Sequence, residues 1–191
     1  MHGIHAGRNF LVVGCGVSAV HAKLVENCVV VGVNDVARLI QPDYLVVVNS
    51  QASFGDRWRW IAESTCPVFT HMRDLPLGER RVMVQLGKSG GVKIDGFRLP
   101  FTNNSPYVAA CIAEYLGAKK IGLLGVDFTD NHFFASTGEH RLTKQLRVID
   151  GQYGKLSAAM SARGVELLNL SADSRLKHLK RVGIEEFNKY I

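Results

Sequence analysis

Residues 9–19 read NFLVVGCGVSA, in which an apolar run passes directly into a glycine turn. The run 9–13 predicts a buried strand, because continuous apolar and β-branched residues suit a strand that is covered on both faces. The turn approximates the pattern GxGxxA, and Asp35 follows the second predicted strand. In the dinucleotide-binding pattern, glycines let backbone N–H groups approach a phosphate and the acid holds a ribose. The turn therefore predicts nucleotide binding, although similar turns also hold other phosphates or serve only as tight connections.

Strands and helices alternate along the rest of the chain. This alternation is typical of an α/β, Rossmann-like fold with a doubly wound, mostly parallel sheet and helices on both faces. A chain of 191 residues, 47% of them hydrophobic, suits a single domain over residues 1–191. The predicted strands are 9–13, 28–33, 44–48, 67–70, 82–85, 121–126 and 165–168, and the predicted helices are 18–25, 36–40, 57–62, 105–116, 142–162 and 174–182.

The clearest helix signal begins at Ser105. This residue can cap the N-terminus, with Pro106 at the first helical position and Gly117 just after the last residue of the helix. Residues 88–98 contain GKSGG and instead predict a mobile or hairpin segment.

In a doubly wound sheet, ligands bind beyond the carboxyl ends of the strands. Residues just after the predicted strands are therefore candidates for binding. Asn34 and Asn49 follow two of these strands, so we expect both in one crevice, although Asn also occurs in turns for local reasons. The candidate nucleotide- or substrate-binding residues that follow predicted strands are Gly14, Gly16, Ser18, Asn34, Asp35, Asn49, Ser50, Asp127, Phe128, Thr129 and His132.

His140 is the candidate catalytic residue. It lies in STGEHRL, just before a predicted helix. A neutral imidazole, with an ordinary pKa of about 6.5, can take a proton from an attacking hydroxyl. Asp127, Asp130 and His132 could be interpreted as metal ligands, but the sequence has neither HExxH nor EF-hand spacing, so we assign no metal site.

The net charge of +6 favours phosphate-bearing partners, from nucleotides to nucleic acid. A solvated helix face would explain the same charge, and no nucleic-acid-binding motif accompanies it. No apolar run approaches the roughly 20 residues of a membrane helix, and the N-terminus has no cleavable-signal pattern, so we expect a cytoplasmic protein. The four cysteines are widely spaced and predict buried thiols. Whether the chain forms a homo-oligomer is left open.

Several of these segments together resemble the small bacterial sialyltransferases that use CMP-sialic acid. They also resemble relatives of those enzymes, including the domain shared by motility accessory factors and an archaeal pterin diphosphokinase. The resemblance covers residues 9–50 and 103–176, and residues 103–128 are its most specific part. It is carried by NFLVVGCGVSA, VND, VVVNS, NNSPYVAACIAEYLGAKKIGLLGVDF, a downstream His before a helix, and VELLNLSADSRL.

The resemblance implies a Rossmann-like fold with a nucleotide in the crevice, and His140 matches the general base of the family. The residues that it implies near the nucleotide or sugar are Gly14–Gly16, Asn34, Asn49 and Ser105, with Asp127 and Phe128 at the floor of the pocket. Asn104 and Gly125, in the same segment 103–128, complete the set of candidate binding residues. The chain departs from the family in its first turn, which reads GCGVS where those enzymes have GNGPS. Thr129 and Phe134 stand where they have the tyrosines that hold the leaving phosphate. These differences argue against CMP-sialic acid itself as the donor.

The leading functional hypothesis is a glycosyltransferase-like group transferase. It would use a nucleotide-activated donor, CMP-sugar or another NDP-sugar, and His140 would activate the hydroxyl of a small-molecule or glycan acceptor. One alternative is phosphoryl or pyrophosphoryl transfer from ATP, with Mg²⁺ near Asp127 or Asp130 and with Lys88 or Arg141 on the phosphates. Another is a non-catalytic nucleotide- or DNA-binding or assembly protein on the same fold.

Overall fold

The computed structural model describes residues 1–136 and 142–189. At its centre is one sheet of eight strands in the order β12-β11-β8-β1-β2-β3-β4-β5, in which neighbouring strands are parallel. In chain order the strands are β1 (Asn9–Val13), β2 (Val29–Val33), β3 (Tyr44–Val46), β4 (Val68–Thr70), β5 (Arg81–Met83), β6 (Gln85–Ser89), β7 (Arg98–Phe101), β8 (Lys120–Leu124), β9 (Asn131–His132), β10 (Ala135–Ser136), β11 (Glu166–Asn169) and β12 (Lys180–Arg181).

The helices are few and several are short. The α-helices are α1 (Trp58–Ala62), α2 (Ser105–Leu116), α3 (Leu146–Ala162) and α4 (Ile184–Asn188). Short 3₁₀ helices cover Val17–Leu24, Asn34–Arg38, Gln51–Ser53, Gly55–Arg57, Gly78–Arg80 and Thr143–Gln145. Within the described ranges, none of the helices is both long and apolar enough to cross a membrane.

The chain winds in two directions from β1. Strands β2, β3, β4 and β5 follow on one side of it, and β8, β11 and β12 lie on the other. The direction reverses between β1 and β8, where connections leave the sheet to opposite sides. A crevice therefore opens beyond the carboxyl ends of these two central strands.

Helices cover both faces of the sheet, as the sequence predicts. Phe10 and Val12 of β1 join one core with α2 and α3, whereas Leu11 and Val13 join a second core with α1, α4 and the 3₁₀ helix Val17–Leu24. The alternation follows from the period of two along a strand. All four side chains are fully buried, which explains the continuous apolar run in the sequence.

Helix α2 lies close to its predicted bounds, with one difference at its start. The N-cap is Asn104, and Ser105 is the first helical residue. Gly117 ends the helix in the left-handed conformation, with a φ of 107°. Its N–H donates to the carbonyl of Glu114, so the glycine provides the expected C-terminal stop.

The predicted helix at 174–182 is wrong. This segment is irregular and ends in β12, which pairs with β11. Buried Leu176, Leu179 and Val182 produce the helix-like spacing. The backbone donors are used elsewhere: the N–H groups of Lys177 and His178 both donate to Asp150 Oδ1, at 2.8 and 3.0 Å.

Other segments also differ from the predicted structure. The sequence predicts a helix over residues 18–25, and the structure forms the 3₁₀ helix Val17–Leu24 there. The predicted strand 82–85 is divided between β5, which ends at Met83, and β6, which begins at Gln85. Within the segment 88–98, residues 90–97 connect β6 to β7, and these strands pair in parallel, so they do not form a hairpin.

Gly125 and Gly151 provide a matched test of the packing between β1 and β8. Gly125 has a φ of +69°, and an added Cβ would lie 2.5 Å from the carbonyl oxygen of Gly14. We expect Gly125→Ala to lower the free energy of unfolding by about 2 kcal/mol or more. Gly151 lies within α3 with no heavy atom within 4 Å of an added Cβ, so Gly151→Ala should raise it by about 0.5–1 kcal/mol.

Urea unfolding followed by circular dichroism measures both changes. Equal stability of Gly125→Ala and the natural chain would show that the two turns do not need their close contact.

Candidate functional site

An open cavity of about 190 Å³ lies in the crevice at the carboxyl ends of β1, β2, β3 and β8. The N-terminus of α2 forms its opposite wall. The sequence-predicted residues that line it are Gly16, Asn34, Asn49, Asn104, Ser105, Gly125, Asp127, Phe128, Thr129 and His132. Gly14, Ser18, Asp35 and Ser50 lie outside this lining, and His140 lies outside the described residues.

The glycine turn after β1 packs directly on the end of β8. The N–H of Gly14 donates to the carbonyl of Leu124 at 2.8 Å, and the N–H of Gly16 donates to the carbonyl of Gly125 at 2.7 Å. A Cβ on Gly14 would clash with the carbonyl oxygen of Gly125. The first glycine of the motif is therefore required by a backbone contact within the protein.

Ser18 joins the two turns through its hydroxyl and its backbone. The Oγ donates to Asp127 Oδ1 at 2.6 Å and accepts from the N–H of Gly125 at 2.8 Å. The N–H of Ser18 donates to Asp127 Oδ2 at 2.8 Å. Ser171 Oγ lies 2.7 Å from Ser18 Oγ, and it must donate because the Ser18 proton faces the carboxylate.

Asp127 thus occupies the place at which a dinucleotide-binding turn holds its phosphate. Its carboxylate caps the start of the 3₁₀ helix Val17–Leu24, where an anion is favoured by free N–H groups. An added Cβ on Gly16 would lie 2.5 Å from Asp127 Oδ2, so the second glycine makes room for this carboxylate. The glycine pattern is explained by an internal anion, and Asp127 is only 2% exposed.

Asp35 has a different role from the one that the glycine motif suggests. It is 1% exposed and accepts a 2.7 Å hydrogen bond from Arg57 Nη1, which forms an ion pair between a buried carboxylate and a partly exposed guanidinium. Cys15 Sγ lies 3.9 Å from Asp35 Oδ1. Burial, and then the nearby Asp35 carboxylate, raise the pKa of the Cys15 thiol, so this cysteine remains protonated.

Ser50 also makes local contacts. Its Oγ lies 3.0 Å from Ser53 Oγ, at the start of the 3₁₀ helix Gln51–Ser53.

The backbone is strained at two positions of the cavity lining. Asn34 and Phe128 both have a φ of +56°, a conformation that L-residues other than glycine rarely adopt. Asn34 Oδ1 is also buried with no hydrogen-bond partner among the described residues. Strained and unsatisfied groups of this kind occur preferentially at binding sites.

The opposite wall is held in place by α3. Tyr153 Oη donates to Asn104 Oδ1 at 2.6 Å, and this fixes the side chain at the start of α2. Tyr153 is fully buried. Ser105 and Pro106 follow in the cavity lining, so the positive end of the α2 dipole faces the cavity.

A short hairpin, β9–β10, lies over the glycine turn. The N–H of Phe133 donates to the carbonyl of Cys15 at 3.0 Å, and His132 forms a bridge with Gly16. Burial, followed by the nearby Arg57 guanidinium, lowers the pKa of His132 below its ordinary value. His132 therefore presents a neutral imidazole to the cavity at neutral pH.

Phe134 lies outside the cavity lining and contacts arginine side chains. Its ring centre is 5.0 Å from the Arg57 guanidinium carbon and 5.9 Å from that of Arg38, distances typical of cation–π contacts. The ring also stacks on His132 with a centroid separation of 5.2 Å. A phenylalanine suits this position because it needs no hydrogen-bond partner here.

The acidic residues of this region interact with other parts of the protein. Both oxygens of Asp127 accept from Ser18, and Asp130 pairs with Arg175 at 3.4 Å. In the part of the chain that the structure describes, no three His, Cys, Asp or Glu residues cluster so as to hold a metal ion. Lys88, the described candidate for binding ATP phosphates, lies on β6 outside the cavity lining.

Sequence reasoning did not single out several lining residues: Val33, Asn103, Pro106, Val126, Asn131 and Leu142. Cys15, inside the predicted turn Gly14–Gly16, also lines the cavity. Val126 ends the predicted strand 121–126 and Asn131 lies soon after it, so the rule on carboxyl ends extends to both. Asn103 and Leu142 line the cavity because the segments just before α2 and α3 pack beside it. Neither position carries a sequence signal of this placement.

No protein-family model matches the chain, and no curated protein matches it. Two solved structures are similar to its fold. One is a MAf glycosyltransferase from Magnetospirillum magneticum AMB-1, with a TM-score of 0.63, 13% identity and 97% coverage of this chain. The other is the sialyltransferase CstII from Campylobacter jejuni in complex with the substrate analogue CMP-3FNeuAc, with a TM-score of 0.53, 12% identity and 92% coverage of this chain.

The extent of these matches differs between the two proteins. This chain spans 35% of the length of the MAf structure and 86% of the CstII structure. At such low identity the likeness shows a shared fold. It agrees with the α/β architecture predicted from the sequence, and both neighbours are glycosyltransferases.

Proposed function

We propose that this chain binds a nucleotide-activated donor in the cavity between β1 and β8 and transfers its glycosyl group. The observation that carries the proposal is the cavity itself, at the reversal point of a doubly wound sheet. It has a strained Asn34 with an unsatisfied buried oxygen in its wall. This edge of such sheets is the general location of ligand sites.

The chemistry of the lining suits a nucleoside. Most of its polar groups are neutral amides, hydroxyls and backbone groups, which recognise base edges and sugar hydroxyls. The volume of about 190 Å³ is below the roughly 300–1,000 Å³ of a complete ligand pocket. The cavity would therefore hold the nucleoside, and the rest of the donor would extend out of its open side.

The phosphate has a separate place in this proposal. Because Asp127 occupies the glycine turn, the phosphate would lie toward the N-terminus of α2, where Ser105 begins the helix. The fold is shared with a sialyltransferase solved with a CMP-sugar analogue, which supports a nucleotide-sugar donor. Thr129 and Phe134, in place of tyrosines, favour a donor other than CMP-sialic acid.

The proposed general base remains His140, on the strength of the family resemblance. His132, which lines the cavity and is neutral, is a second imidazole whose role the same experiments test. A general base of this kind contributes about 10²–10⁴-fold to the rate. The phosphotransfer alternative is weakened because both carboxylate oxygens of Asp127 accept from Ser18.

Nucleotide binding can be tested with a matched pair of variants. A panel of CMP, UDP, GDP, ATP and NAD should include a ligand that stabilises the protein, by about 2.7 kcal/mol at 100 times its dissociation constant. Asn34→Gly keeps the left-handed backbone and removes the amide, and we expect it to weaken that ligand about tenfold. Asn27, with a φ of 49°, is exposed, and Asn27→Gly is the control that should bind normally.

Thermal shift with and without Mg²⁺ measures the response, and calorimetry measures the affinities. No response to any nucleotide, or equal weakening in the two variants, would contradict the proposal.

The catalytic step can be tested separately once a donor is found. We expect His140→Ala to lower kcat about 10²–10⁴-fold while the dissociation constant of the nucleotide stays within twofold. His21, exposed on the 3₁₀ helix Val17–Leu24, provides the control variant His21→Ala. Full transferase activity in His140→Ala would refute the assignment of His140 as the general base. The same measurement on His132→Ala would then show whether His132 is the base.

A further inference from the structure

A second cleft lies beside β5, the outermost strand on one side of the eight-stranded sheet. Five of its lining residues carry ionisable groups: His71, Arg73, Arg81, Asp95 and Arg98. We call the cleft that these five residues line the arginine cleft. It is separate from the cavity between β1 and β8 in which we propose that the donor binds, called the donor cavity below, since the two share no lining residue.

The fold brings these residues together from three segments. His71 follows β4 directly, Arg81 begins β5 and Arg98 begins β7. The parallel pairing of β4 with β5 sets the position of Arg81. Its Nη2 donates to the carbonyl of Leu75, so the guanidinium is held at the cleft. The arrangement is therefore built into the fold.

The charges of the arginine cleft are unbalanced. Three guanidinium groups share it with one carboxylate, that of Asp95. Across the described ranges, no carboxylate lies within 4.0 Å of the guanidinium nitrogens of Arg73, Arg81 or Arg98. By contrast, Arg57, Arg163 and Arg175 elsewhere each pair with an acid. Like charges that line one cleft repel each other, and an anion bound between them would relieve that repulsion.

Two nitrogen atoms of the cleft also lack hydrogen-bond partners. Arg81 Nε and His71 Nδ1 are buried and make no hydrogen bond with any residue that the structure describes. Buried polar groups are normally satisfied by protein, water or a bound ligand. An anion bound in the cleft would supply acceptor oxygens for the N–H of Arg81 Nε, and for His71 Nδ1 in the tautomer that carries its proton there.

We propose that the arginine cleft binds the phosphate group of a small phosphomonoester. Guanidinium groups present paired N–H donors that match phosphate oxygens, which makes arginine the preferred residue for such sites. The cleft is open and has a volume of about 1010 Å³, so it can take an organic group together with the phosphate. Phe97 and Leu86 provide apolar surface for that group. This site is independent of the proposed transferase activity.

The test uses inorganic phosphate and methyl phosphate as probes, at constant ionic strength held with chloride. We expect saturable binding of both by calorimetry, with amide shifts in the ¹H–¹⁵N spectrum concentrated at residues 71–73, 81–86 and 95–98. Arg98→Gln changes an exposed side chain, so the variant should fold, and it should weaken both probes at least tenfold. Arg81→Gln should do the same. Tighter binding of methyl phosphate than of inorganic phosphate would assign the site to a phosphomonoester.

Arg147, an exposed residue of α3, provides the control for the change in net charge. Arg147→Gln should leave both affinities within twofold of the natural chain, and so should Asn34→Gly in the donor cavity. Absence of saturable binding would overturn the proposal. So would equal weakening by Arg98→Gln and Arg147→Gln, because that pattern reports only the total charge of the protein.

Discussion

The hydrogen bonds between Ser18 and Asp127 hold the centre of this protein together. They connect the turn after β1 to the end of β8, the two strands between which the sheet reverses direction. Three glycines make this contact sterically accessible, since a side chain at 14, 16 or 125 would meet the facing backbone or the Asp127 carboxylate. The position of the cavity wall, including Phe128, depends on this connection.

The same contact decides which ligand chemistry the site can support. A pyrophosphate on the glycine turn would compete with the Asp127 carboxylate for the N–H of Ser18. The donor cavity instead presents Asn34, Asn49 and the first turn of α2. These groups suit a nucleoside whose phosphate lies near the helix start. The glycine motif thus has a structural role here, and under the proposal the neighbouring strand ends recognise the donor.

Much of the architecture follows from local sequence. The apolar runs 9–13 and 29–33 predict parallel strands and form them. Pro106 and Gly117 predict the bounds of α2 to within one residue. Ten of the predicted residues line one cavity, and the rule on carboxyl ends accounts for seven of them: Gly16, Asn34, Asn49, Asp127, Phe128, Thr129 and His132. Two of the predicted residues that lie outside the lining, Asp35 and Ser18, depend on long-range partners. Asp35 has its carboxylate bound to Arg57, 22 residues away, and Ser18 is bound to Asp127, 109 residues away.

The segment 174–182 illustrates the same limit. Its apolar spacing matches a helix, yet Asp150 on α3 accepts the N–H groups of Lys177 and His178 and holds them in an irregular path. Helix propensity is weak enough for such contacts to override it.

The most direct test of the account is a crystal structure of this chain with CMP bound. We predict that the nucleoside lies in the cavity with a donor group on Asn34 Oδ1, and that the N–H of Ser18 still donates to Asp127. A phosphate bound to the N–H of Ser18, with Asp127 displaced from the glycine turn, would contradict it.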